Sequence, residues 1–180
     1  AGFAALAAAI YTGHGEQKSY KQNSASISLT LIGTGILWFG WFGFNGGSAL
    51  SAGLSASVAL TNTHLAACAG GLGWAGFQYF FTKQPSIVGW CCGAVCGLVA
   101  ITPGAGFVNL WASLPIGFFG GVLSWLFCHL KAIYFHELAD TLDVFGCHGI
   151  AAVWGGIATG AFATTDSGNT VDGLFYGSGR

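Results

Sequence analysis

Histidine and cysteine, at five and six copies, are the side chains with the widest chemical range in this 180-residue chain. His148 is the sharpest candidate. It follows Asp143 by five residues and stands inside a long apolar stretch, with Val144, Ala151 and Gly155 on its face at helical spacing. An imidazole among such small apolar groups faces either a neighbouring helix or a lumen. The first makes it a bonded structural group, the second a pathway or proton-relay group. His64, beside Asn62 and Thr63, is the other histidine deep in an apolar stretch, and interhelical hydrogen bonding is expected of it. His14, His129 and His136 lie in or beside polar loops and suggest no role. Asp143 is expected to cap the helix carrying His148, because a carboxylate there accepts orphan N–H groups and suits the helix dipole. An enzyme built on His148 and Asp143 is disfavoured: they fall on different helix faces, and no nucleophile or metal set joins them. All six cysteines (Cys68, Cys91, Cys92, Cys96, Cys128, Cys147) lie in or beside apolar segments. Cys92 and Cys96 share a face without a matching histidine or carboxylate, so we read the thiols as small packing groups; no metal or other cofactor is implied.

A second constellation is aromatic. Leu37, Trp41, Phe44 and Ser48 fall at i, i+4, i+7 and i+11 and form one stripe while the helix lasts, with Gly46 and Gly47 positioned to end it. Such a stripe reads either as an interfacial aromatic belt or as a wall that attracts a cation through its ring faces and offers it a hydroxyl acceptor.

The elements that must carry these residues are membrane helices. Only 6% of the chain is charged, against roughly 25% in a soluble domain. No Asp, Glu, Lys or Arg occurs across 22–82, 84–130 or 144–165. A water-facing shell cannot be made from that supply, and no basic run points to nucleic acid. Six apolar segments stand out, at 1–12 (truncated), 26–45, 54–81, 87–102, 108–134 and 143–163. They are too long and too continuously apolar for barrel strands, which leaves helices as the way to pair every backbone group in hydrocarbon. Lys18 and Lys21 sit in the first loop, Lys83 in the third and Lys131 in the fifth, while the second loop (46–53) and the fourth (103–107) carry no charge. Positive charge thus alternates with each crossing, and the odd loops are expected to be cytoplasmic. The 31 glycines include pairs four apart, at Gly43/Gly47, Gly93/Gly97, Gly117/Gly121 and Gly156/Gly160, a spacing that lets helix backbones approach closely. The chain has no Met, opens on Ala1-Gly2-Phe3 and closes on Ser178-Gly179-Arg180. We expect a fragment of a longer protein, with a partial membrane domain over 1–164 and a truncated outer loop over 165–180.

Four stretches in order carry a family resemblance: Gly40-Trp41-Phe42-Gly43-Phe44-Asn45 followed by Gly47-Ser48-Ala49; Asn62-Thr63-His64-Leu65-Ala66-Ala67; Gly97-Leu98-Val99-Ala100-Ile101-Thr102-Pro103; and Asp143-Val144-Phe145-Gly146-Cys147-His148-Gly149. Together they resemble the ammonium transporters of the Amt/Mep/Rh family, in the Amt-type branch. The resemblance implies an all-α polytopic bundle. That fold has eleven membrane helices, with two inverted repeats around a pore, usually in a homotrimer. This chain would cover the end of the fifth helix through the tenth, which is the second repeat. It also implies that Trp41 and Ser48 belong to an outer ammonium vestibule, that Phe44 is one ring of a phenylalanine gate, and that His148 is the second of two pore histidines, the first lying upstream of Ala1. Val95 and Val144 would line the cytoplasmic side of the pore, and Asp143 would be architectural. The implied protein is not an enzyme. It would conduct ammonium or ammonia across the plasma membrane, with the lipid bilayer as its surroundings. The alternatives are an ammonium sensor of the same fold and an Rh-like neutral gas channel.

Overall fold

The computed structural model describes residues 1–12, 24–84, 86–135, 138, 140, 142–167, 170 and 172–177. Lys18, Lys21, His14, His136 and Arg180 lie outside the described residues. Helix α1 runs Gly2–Thr12, α2 Ser24–Gly47, α3 Leu54–Thr82, α4 Ile87–Ile101 and α5 Leu110–Tyr134; a π-helical segment, Phe145–Ile150, leads into α6, Ala151–Phe162. A 3₁₀ turn at Thr102–Gly104 closes α4, and two more follow α6. All six expected segments are helical, each within a few residues of its expected ends.

Local chemistry explains several boundaries. Ser86 begins α4 in extended conformation, and its hydroxyl accepts from the Gly89 N–H at 3.1 Å. Lys83 ends α3 in the left-handed region at φ 58°. Gly46 and Gly47 do end α2 just before Ser48. Four stretches are long and apolar enough to cross a membrane: Ser26–Gly47, Ile87–Gly104, Leu110–Tyr134 and Phe145–Phe162. The 29-residue α3 is long enough but less apolar, because its middle carries polar groups that bond inside the bundle. Asn62 donates through Nδ2 to the Ala105 and Val108 carbonyls (2.8 and 2.9 Å), and Thr63 accepts from Asn45 at 2.9 Å.

The core forms where α3 packs against α4 on one side and α5 on the other. A Cβ on Gly97 would stand 2.8 Å from the Ala66 carbonyl carbon, one on Gly117 2.6 Å from Ala66 Cα, and one on Gly121 3.0 Å from the Gly70 carbonyl carbon. These approaches are too close for any side chain, and they put Ala66 and Gly70 between two backbones. Gly93/Gly97 and Gly117/Gly121 therefore act as expected. Gly43, Gly47, Gly156 and Gly160 meet nothing within 4 Å among the described residues, so four-residue spacing alone did not separate seams from open faces.

Candidate functional site

Trp41 lies at the centre of the site. From the last two turns of α2 its indole Nε1–H donates to the Thr102 hydroxyl at 2.9 Å, and that hydroxyl donates in turn to the Leu98 carbonyl at 2.7 Å. The end of α4 thereby fixes the plane of the indole. Phe44, one turn on, lies 5.7 Å from it between ring centroids, and His148 lies 6.4 Å away in a stacked arrangement, the planes inclined by 30°. Ile36, Leu37, Gly40, Trp41 and Phe44 line a cavity of about 380 Å³. Leu37, Trp41 and Phe44 of the expected stripe thus share one face of α2, Ser48 lies beyond it, and Trp41 is shared between the cavity and the histidine. Ser48 is exposed in the turn after α2; its hydroxyl donates to the Phe44 carbonyl at 2.7 Å, which leaves its lone pairs to accept.

His148 is half-buried inside the π-helical segment, and its ring makes no hydrogen bond to a described residue, while its carbonyl accepts from the Ala151 N–H. Single π turns within α-helices are frequent at functional sites. The 3.6-residue spacing that grouped Val144 with His148 holds only from Ala151 onward, since the chain between is π-helical. Two glycines permit the arrangement: a Cβ on Gly149 would stand 2.6 Å from the Phe145 ring, and one on Gly146 3.2 Å from the Phe127 ring. Phe145 is held edge-on between Phe3 of α1 (5.4 Å) and Phe127 of α5 (5.3 Å).

Three expectations are corrected. The carboxylate that caps this segment belongs to Asp140, not Asp143: its two oxygens accept from the Val144 and Phe145 N–H groups, each at 2.9 Å. Asp143 sits in the left-handed region at φ 53° and turns its carboxylate to Lys131 in an ion pair. A side chain so directed cannot also reach the N–H groups ahead of it. Asp143 keeps an architectural place, of a different kind from a cap. Lys131, expected in a cytoplasmic loop, is buried in the last turn of α5 at 5% exposure. His64 is exposed and packs its ring on Trp38 (5.4 Å) and Phe42 (5.9 Å). Its described polar neighbour is Cys68 one turn away, at 3.9 Å. The interhelical bonds fall to Asn62 and Thr63, which point inward while the next residue points out. Val95 and Val144 are half-buried, Val95 against the core, and neither lines the cavity beside Trp41. Thr102 and Asp140 went unread in the sequence: a hydroxyl ahead of a helix-ending proline and an aspartate ahead of an apolar run were the available signals.

A profile of the Ammonium Transporter Family matches residues 1–180. An ammonium transporter of Bacillus subtilis is 46% identical over 98% of this chain, which spans 43% of that relative's length. The crystal structure of the Mep2 mutant delta442 from Candida albicans superposes with a TM-score of 0.87 at 35% identity, over 98% of this chain and 43% of that one. A structure described as a Sensor Amt Protein superposes at 0.79 with 28% identity, over 92% of this chain and 42% of that one. Sequence profile, identity and superposition agree with a bundle of apolar helices: the chain belongs to the ammonium transporter family and is an integral, multi-pass membrane protein.

Proposed function

We propose that this chain forms one wall of a pore through which ammonium crosses the membrane as ammonia. The observation that carries the reading is the run of ring contacts Phe44–Trp41–His148, tilted at the first pair and stacked at the second, which joins the last turns of α2 to an imidazole in the π-helical segment.

Ammonium and potassium are of similar size, so a sieve separates them poorly. Ammonium differs in donating four hydrogen bonds and in having a proton to lose. The Trp41 and Phe44 rings attract a partly desolvated cation by roughly 0.5–2 kcal/mol, and the Ser48 hydroxyl accepts one of its N–H groups. Farther inward the walls are apolar. Burial of a bare ion there costs tens of kcal/mol in the idealised Born limit, and the same penalty favours the neutral form. Ammonia then passes Phe44, and the proton it leaves behind goes either to water outside the apolar wall or to the His148 ring; that ring's nitrogens are free of hydrogen bonds to described residues and can hold ammonia or relay the proton ammonium has shed. Potassium has no neutral form and stays outside.

Replacing His148 with Ala in the intact protein, reconstituted in proteoliposomes, tests the reading. Ammonium flux should fall or its selectivity over potassium should change; wild-type values of both would end the assignment. A sensor is the second reading, supported by the likeness to the Sensor Amt Protein. It predicts ammonium binding with negligible flux in the unmodified protein.

A further inference from the structure

Lys131 is a cation buried at the end of a membrane helix, and among the described residues its polar partners are Asp140 and Asp143 rather than the pore wall. Its surroundings account for it. The ammonium group donates to the Asp140 carbonyl at 2.6 Å and forms the ion pair with Asp143 Oδ1. The same Asp140 carbonyl accepts from the Asp143 N–H at 3.2 Å, and the Asp143 carbonyl accepts from the Cys147 N–H at 2.9 Å, one residue before His148. The Asp140 carboxylate takes the Val144 and Phe145 N–H groups. A single cation on α5 thus joins the two aspartates from which the first turn of the His148 helix hangs. It also holds Asp143 in a backbone region that non-glycine residues rarely adopt. A lysine kept in such a place at the cost of its desolvation calls for a role beyond packing.

We propose that Lys131 is a positioning residue for the pore histidine: through Asp143 and Asp140 it sets the start and pitch of the π-helical segment, and so the angle at which His148 stacks on Trp41. This rests on the reading of His148 as a pore residue. Lys131 itself meets neither ammonium nor His148. Its loss should therefore spare recruitment at Trp41 and Ser48 and impair passage.

The test uses the intact protein in proteoliposomes, with ammonium flux measured against concentration, alongside unfolding midpoints in detergent. K131M should lower the maximal flux by roughly ten- to a hundredfold, the upper figure being the loss expected when a reacting geometry is displaced by about an ångström, with the half-saturating concentration unchanged. K131R, which keeps the charge and donors, should stay within about threefold of wild type. The pair K131M/D143N removes both partners of the ion pair and leaves the Asp140 carboxylate on its two backbone N–H groups, so it should recover most of the midpoint lost in K131M without recovering flux. Where K131M does not accumulate, this pair carries the same test. In an H148A background K131M should add no further loss, because two residues acting through one geometry are not additive. Wild-type flux in K131M beside a defective H148A would overturn the clamp alone. So would recovery of flux and midpoint together in the pair, which would make the contact purely structural. Wild-type flux in H148A would instead bring down the pore reading, and the clamp with it.

Discussion

Trp41 meets three demands at once: it lines the cavity, stacks on His148 and places its one polar atom on Thr102. The Thr102 hydroxyl is what makes this orientation unique, since an indole N–H in an apolar wall must find an acceptor. T102V keeps the shape and removes the acceptor. The expected result is a loss of about 1–3 kcal/mol in unfolding free energy, the usual cost of an orphaned buried donor, together with reduced ammonium flux as the ring reorients. Chemical denaturation in detergent reads the first and proteoliposome uptake the second. A variant as stable and as active as wild type would show that the bond does not set the ring.

At the scale of helices, contact distance governs. The α3 backbone lies so close to α4 and α5 that Ala66 and Gly70 face glycines on both sides. G97A places a methyl group against the Ala66 carbonyl, and backbone on both sides leaves no rotamer to relieve it; a cost on the order of 1–3 kcal/mol is expected. G156A meets open space and should be neutral or up to about 1 kcal/mol stabilising, through helix propensity alone. Comparing their unfolding midpoints tests whether α3–α4 is the tight seam. Equal midpoints would contradict the packing described. D140A should cost roughly 0.5–2 kcal/mol by removing the cap on the π-helical segment.

For the whole molecule, the lysine pattern and the helix order make a topological prediction. Ser51, in the turn between α2 and α3, and Gln84, between α3 and α4, lie at opposite ends of α3. In a background lacking the native cysteines, S51C should react with a membrane-impermeant thiol reagent added outside intact cells, and Q84C only after permeabilisation. The reverse pattern would invert the pore and place the Trp41–Phe44 vestibule on the cytoplasmic face.

The sequence by itself determined the solvent, the number of helices and nearly all their bounds. Charge scarcity and unbroken apolar runs are one-dimensional properties, and lipid imposes them on each segment separately. It also placed Leu37, Trp41 and Phe44 on one wall, because a shared face follows from spacing within a single helix. What tertiary structure alone decided were relations between helices: which glycine pairs form seams, that His64 turns out to Trp38 and Phe42, that Thr102 holds Trp41, and that Lys131 goes inside to Asp143. Each depends on a partner many residues away, and an intrahelical period carries no information about it. The π-helical segment belongs with these. The Asp140 carboxylate and the edge-on Phe3–Phe145–Phe127 contacts reach it from other parts of the chain, and no period within the segment announces them.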